Sequence, residues 1–246
     1  MELGYKSDIG RVRTINQDSY LVLNDLNIGF KIFAVADGLG GHNAGEIASK
    51  ILIDKIKIYF SKDTLLESSI LDETLIIEII KEINGQIFQM ASENVDLNGM
   101  GTTLTLVLLD DDNIFIFHVG DSRTYIVNEK EILQLTQDHS LVEQLVMQGE
   151  ITRQEADVHP NKNILTRAIG TDAQIEVDFY KYTLKQYDKI LLCTDGLTNS
   201  LSNESIKNII NNNSCTDAVN ILVEEANNQG GHDNVTVIVL NPEVKQ

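Results

Sequence analysis

The chain has 246 residues, with 37 Asp and Glu against 19 Lys and Arg for a formal net charge of -18, and only 2 Pro and 16 Gly among 42% apolar residues. So acidic a surface repels a phosphate backbone and argues against nucleic-acid or anionic-membrane binding, and the low Pro and Gly content argues against a long flexible linker. Cys193 and Cys215 are too few and too far apart for a zinc knuckle or a disulfide framework, and no apolar run approaches the roughly 20 residues of a membrane span; a cytoplasmic monomer with reduced thiols and no membrane insertion is expected.

In chain order, strand-type runs come first. Ser19 to Leu23 and Phe30 to Ala36 are rich in apolar and β-branched residues, and the second runs into Asp37-Gly38, a common turn pair. Two amphipathic helices are predicted next. One has Ile47, Ile51, Ile58 and Tyr59 on its apolar side, the other Ile76, Ile79, Ile80, Ile83, Ile87 and Met90. Strands return at Thr102 to Leu109 and Ile114 to Val119, joined by a polar hairpin turn from Asp110 to Asn113 that lacks the spaced ligands and glycine of a calcium loop.

Arg123 to Val127 continues the strands, and His139 to Gly170, broken at His159-Pro160, reads as short helical pieces outside the sheet. Strands follow at Ile175 to Tyr182 and Lys189 to Thr194. Helices at Glu204 to Ile210 and Thr216 to Asn227 precede a last strand at Val235 to Leu240. This order predicts two sheets covered by helices, residues 1–246 forming one domain.

Aspartates recur at the ends of apolar strands: Asp37 after Ala36, Asp121 after Gly120, Asp195 after Thr194, and Asp233 just ahead of Val235. One such Asp-Gly pair is an ordinary turn. Four strand ends meeting at one edge would instead bring carboxylates together, and their repulsion would have to be cancelled by cations or protons. Oxygen ligands without a Cys or His cluster suit Mg²⁺ or Mn²⁺ better than zinc. Two such ions about 3.5 to 4 Å apart can lower the pKa of a bridging water and neutralise a phosphoryl group under in-line attack.

The motifs resemble those of the metal-dependent Ser/Thr protein phosphatases of the 2C type, bacterial branch. The matching runs are Gly10-Arg11-Val12-Arg13 with Asn16-Gln17-Asp18, Ala36-Asp37-Gly38-Leu39-Gly40-Gly41, Gly99-Met100-Gly101-Thr102-Thr103 and His118-Val119-Gly120-Asp121-Ser122-Arg123. Thr194-Asp195-Gly196-Leu197 and Gly231-His232-Asp233-Asn234-Val235-Thr236 complete the set, in order and at the right spacing over nearly the whole chain.

The resemblance implies an α+β fold: a four-layer α/β/β/α sandwich, with two central antiparallel sheets, flanking helix pairs, a metal site at one end and a small flap over residues 139–170. It implies two core Mn²⁺ or Mg²⁺ ions and a third, looser one. Asp37 would bridge two ions, the Gly38 carbonyl would bind one, and Asp195 and Asp233 would complete the second. Asp18 would hold a water on the ions, Asp121 would help bind the third, and Arg13 would bind phosphate through its planar fork.

The resemblance also implies phosphoserine and phosphothreonine protein substrates and a cognate bacterial Ser/Thr kinase as the opposing partner. His159, Asn163 and Arg167 are the flap's polar candidates for touching a phosphoprotein. One departure stands out: many eukaryotic relatives carry His after the Asp-Gly, where this chain has Leu39. His42 could replace it as general acid only if its loop folds back. A non-catalytic module of the same fold would be marked by loss of a metal aspartate, and none is missing. A phosphatase dedicated to an anti-anti-sigma factor or a similar single regulator would be expected to carry appended sensor domains.

Overall fold

Alternation in the central strands explains how the layers are built. In the computed structural model, which describes residues 1–24, 30–41, 44–61, 72–110 and 112–242, strand β3 (Lys31–Leu39) turns Ile32, Ala34 and Ala36 to one face and Phe33 and Val35 to the other, all five fully buried. A strand buried on both faces must lie between two apolar layers.

One layer is helical. Helices α1 (Ala44–Phe60) and α2 (Glu73–Glu93) cover a sheet ordered β2-β3-β5-β6-β9, comprising β2 (Asp18–Leu23), β3, β5 (Leu104–Leu109), β6 (Asn113–Val119) and β9 (Asp178–Thr183). The short β4 (Gly101–Thr102) pairs with the end of β3. The buried row of α1 is Ala44, Ala48, Leu52, Ile56 and Phe60, at four-residue spacing, whereas Ile58 is exposed. Of the apolar side expected from Ile47, Ile51, Ile58 and Tyr59, three residues pack partly buried against this core and Ile58 does not, while small alanines near the N-terminus let the helix approach the sheet. In α2 the expected isoleucines are buried and Met90 is exposed.

The second sheet has the order β1-β11-β10-β7-β8, from β1 (Glu2–Asp8), β7 (Arg123–Val127), β8 (Ile132–Gln134), β10 (Lys189–Cys193) and β11 (Val235–Asn241). Its outer face packs on α6 (Asn203–Asn212) and α7 (Cys215–Asn228) through Leu191, Val237, Ile206, Ile210 and Leu222. Its inner face meets Phe33, Val35, Ile114 and Ile116 with Ile126, Ile190, Leu192 and Ile238. All strand pairings are antiparallel. The architecture is the four-layer α/β/β/α sandwich that the resemblance implied.

Two differences from the sequence reading matter for the site. Strand β1 was not expected, because an edge strand with Glu, Lys, Ser and Asp among its seven residues lacks apolar alternation. Asp37-Gly38 is not a turn: β3 runs through it, Asp37 standing opposite Asp18 and Gly38 opposite Thr102. Glycine is required here for close approach, since a Cβ on Gly38 would lie 2.1 Å from the Gly45 carbonyl oxygen of α1.

Residues 139–170 leave the sheets as expected. They hold α3 (Leu141–Met147), N-capped by Ser140, and α4 (Arg153–Asp157), closed by a capping box of Thr152 and Glu155. A bridge from Ser140 to Leu165 closes this segment on itself, and one from Thr102 to Ile169 ties its end to the body.

Candidate active site

The strand ends that carry aspartates gather at one end of the sandwich, and each is set by local chemistry. Asp18, opening β2, is buried; its Oδ2 accepts from the hydroxyls of Thr194 at 2.8 Å and Thr236 at 2.7 Å, while its Oδ1 has no hydrogen-bond partner. Thr236 belongs to β11 of the other sheet and Thr194 directly follows its β10, so one carboxylate oxygen joins the two sheets. Asp37 is half-buried. Its N–H donates to Thr103 Oγ1 at 2.8 Å, and its carbonyl accepts from the Thr103 N–H at 2.9 Å and the Thr102 hydroxyl at 3.0 Å.

Thr103 Oγ1 also shares a 2.7 Å hydrogen bond with Ser122 Oγ, beside Asp121. Asp195 is the first residue of the short helix α5 (Asp195–Thr198), after Thr194 at the N-cap. Its Oδ2 accepts from Asn199 at 2.9 Å, and its Oδ1 is buried without a partner.

Asp233 lies just before β11 and takes both arms of Arg13, Nη2 to Oδ2 and Nε to Oδ1, each at 3.0 Å. Arg13 itself is half exposed at the rim. Its loop is held by Asn234, whose Oδ1 accepts from the Gln17 N–H and whose Nδ2 donates to the carbonyls of Ile9 and Ile15. Gly10 sits at φ +85 against the Asp233 and Gly231 carbonyls, a conformation and a closeness that only glycine accommodates.

Burial and mutual repulsion shift four of these carboxyls, Asp18, Asp37, Asp121 and Asp195, upward. Burial, with the charges of Asp18 and Asp195 added, raises Asp37 well above the usual carboxylate range. Burial, and then the Asp233 charge, raise Asp195. Burial and Asp195 raise Asp121, against the pull of Arg123. Burial pushes Asp18 up to about 7 although Thr236 and Thr194 work against it. Such a cluster is stable when it takes up protons or cations.

Cations fit it better: two buried carboxylate oxygens, Asp18 Oδ1 and Asp195 Oδ1, have no hydrogen-bond partner, and the available donors are hard oxygens. Among the described residues no group of three His, Cys, Asp or Glu side chains is placed to hold a metal ion by itself. The vacant coordination positions would fall to backbone carbonyls such as that of Gly38 and to water, which suits an ion that keeps part of its hydration.

Asp121 and Asp195 open into a groove of about 660 Å³ whose far wall is the flap, with Asn163, Lys162 and Arg153 on it. Of the flap candidates, Asn163 lines this groove. Arg167 is committed to Asp178, at 2.6 Å from Nη1 to Oδ1, and His159 Nδ1 accepts from the Asn161 N–H. A larger hollow of about 1010 Å³ between α2 and residues 173–178 contains none of the strand-end aspartates. His42 lies outside the described residues. Leu39 ends β3.

The supporting residues Thr103, Thr194, Asn234 and Thr236 had no assigned role in the sequence reading. The signal was present, because each lies inside one of the matched motifs, Thr194 and Asn234 directly beside an aspartate.

Residues 10–230 match the profile of the family described as Protein phosphatase 2C. The chain belongs to the protein phosphatase 2C family. It is therefore a protein phosphatase, and its kinship extends over its full length. It is 37% identical to the serine/threonine phosphatase stp of Listeria welshimeri, covering 100% of this chain and 98% of that one, and 36% identical to the protein phosphatase PhpP of Streptococcus pneumoniae, covering 98% and 97%. The crystal structure of the serine/threonine phosphatase Stp1 from Staphylococcus aureus superposes with a TM-score of 0.89 at 35% identity, covering 97% of this chain and 94% of that one.

Proposed function

We propose that this 2C-type phosphatase hydrolyses phosphoserine and phosphothreonine in proteins at the Asp18–Asp37–Asp121–Asp195–Asp233 cluster, with two core Mn²⁺ or Mg²⁺ ions and a third beside Asp121. The observation that carries this reading is the crowd of raised-pKa aspartates with two buried oxygens left unpartnered. When bound, such ions acidify a water and offset phosphoryl charge.

The chain's own residues do the rest. Asp37 and the Gly38 carbonyl would hold the ions from β3, Asp195 and Asp233 from the facing sheet, and Asp18 Oδ1 would orient the attacking water while Oδ2 stays on its threonines. Arg13 presents a bidentate donor at the rim, with Nη2 and Nε both 3.0 Å from Asp233, where a phosphate would meet it. With Leu39 where many relatives have histidine, we assign no histidine the part of general acid.

Residues 1–246 act as one phosphatase domain with residues 139–170 as its flap, and we take it to work as a monomer. Its substrates are phosphoproteins, and its natural opponent is a Ser/Thr kinase that makes them. Two free, buried cysteines suit a reducing cytoplasm, and no helix among the described residues is long and apolar enough to cross a membrane. The test is turnover of a phosphothreonine peptide: chelator should abolish it, Mn²⁺ should restore it, and full activity in chelator would overturn the reading.

A further inference from the structure

His139 lies between the flap and the loop of Asp121, and both its side chain and its backbone bind one residue. Its N–H donates to the Gly120 carbonyl at 2.7 Å, and its Nδ1 accepts from the Gly120 N–H at 3.0 Å. An Nδ1 that accepts carries no proton, so the ring proton is on Nε2, which donates to Asp178 Oδ2 at 3.2 Å. Arg167 Nη1 stands 3.1 Å from that same Nε2, but both are donors there, and the arginine hydrogen goes to Asp178 Oδ1 at 2.6 Å.

Burial, and then the Arg167 charge, lower the pKa of His139, which favours the neutral ring this arrangement needs. The ring packs against buried His118, tilted at 42° with centroids 4.9 Å apart, and His118 Nε2 lies 3.0 Å from the Gln137 carbonyl.

Gly120 needs such a grip. It sits at φ +111 with the Thr103 side chain so close that a Cβ would lie 2.5 Å from it, and both its polar backbone groups are taken by His139. On the other side of Asp121, Ser122 is anchored by Thr103 Oγ1 at 2.7 Å and by the Thr105 hydroxyl, which donates to its carbonyl at 2.9 Å. Asp121 therefore hangs between two fixed residues, one of them held at both polar groups by His139.

We propose that His139 is a positioning residue that aims the Asp121 carboxylate by gripping both polar groups of Gly120. The proposal rests on the reading of Asp121 as an ion ligand. Through Asp178 and Arg167 the same ring is braced against the base of the flap, so the ion site at Asp121 and the flap share one support.

Two near-isosteres separate the two ends of the ring. In His139→Asn an amide oxygen can stand where Nδ1 stood and keep the bond to Gly120. In His139→Gln the amide reaches Asp178 as Nε2 does, with no acceptor left for Gly120.

The experiment uses the full chain and two readouts that need no turnover: hydrogen exchange of the Gly120 amide in the Mg²⁺ form, and Mn²⁺ binding by electron paramagnetic resonance. Asp121→Ala marks which ion is involved. We expect Asn to keep the Gly120 amide protected and the Asp121 ion bound. Gln should speed exchange at least about 10-fold and weaken that ion about 10- to 100-fold, leaving the other ions in place.

Equal behaviour of Asn and Gln, or loss of all ions together, would overturn the proposal and leave His139 a packing residue. If Asp121→Ala loses no ion, the reading of Asp121 as a ligand fails. The grip is then judged on amide exchange, where slow exchange in Gln contradicts it and fast exchange in Gln alone upholds it.

Discussion

Two stretches of the same strand solve opposite problems. In the middle of β3, Phe33 and Val35 are sealed between the sheets among Ile126, Ile190, Leu192 and Ile238, where every contact is apolar. At the end of β3, Asp37 faces Asp18 across the pair and Asp195 across the cleft, and its carboxyl is forced above its usual range. The middle supplies cohesion; the end collects charge that the fold alone leaves poorly compensated. Stability and function are thus divided along the strands rather than between domains, and the division can be tested from either side.

The largest effect expected is on the middle. Phe33→Ala removes a fully buried aromatic ring from the inter-sheet layer and should cost about 3 to 5 kcal/mol in urea unfolding, while turnover per folded molecule and its Mn²⁺ dependence stay near wild type. A large loss of turnover in the folded fraction would mean that the layer and the site are not separable.

At the strand end the order reverses. Asp195→Asn should lower kcat by at least about 10²-fold. The metal-free protein should melt no lower than wild type, since one repelling carboxylate is gone.

Arg13→Ala should raise the KM for a phosphopeptide by roughly 10-fold, the worth of a charged hydrogen bond or two. Mn²⁺ affinity should change little, because Arg13 touches Asp233 from the rim. A collapse of Mn²⁺ binding would show Arg13 to be a structural counter-ion only.

The smallest effect is a pH dependence. Asp18, pushed up to about 7 by burial from an ordinary 3.8, stabilises the metal-free fold below the lower value and loses that contribution as pH rises through the higher one. Buried His118, lowered to about 3, pulls the other way and withdraws stability as pH falls through its ordinary 6.5. The difference between wild type and Asp18→Asn isolates the carboxylate. In metal-free buffer the variant should gain on wild type by several degrees in Tm between pH 5 and 8, and Mn²⁺ should reverse the order. A difference that does not change with pH would remove the charge argument.

Much of this was legible in the sequence because strand ends, helix faces and aspartates fall in local patterns. The apolar runs flanking Asp37, Asp121, Asp195 and Asp233 are short and β-branched, and the motif order implied that they meet. Strand β1 was not legible: its polar residues are chosen for an edge, and only pairing of Glu2–Asp8 with β11 makes it a strand. The apolar side of α1 was legible only in part: Ile47, Ile51 and Tyr59 do pack on the core, but the deepest row includes two alanines, which a helix needs to come close to a sheet.

Within the site, carboxylates announce themselves, but the hydroxyls and amides that hold them do not. Thr194 and Thr236 become meaningful only when 218 positions of chain separation close to 2.7 Å between Thr236 and Asp18. His139 reads as one histidine at the start of the flap until Gly120 is seen in its grip.

The most direct test of the central claim is to count Mn²⁺ ions on the full chain while following hydrolysis of a phosphothreonine peptide, in wild type and Asp37→Asn. At least two ions should bind to wild type, turnover should rise in step with their loading, and Asp37→Asn should lose both the ions and the activity. Undiminished Mn²⁺ binding in Asp37→Asn, or full turnover before any ion is bound, would contradict the account.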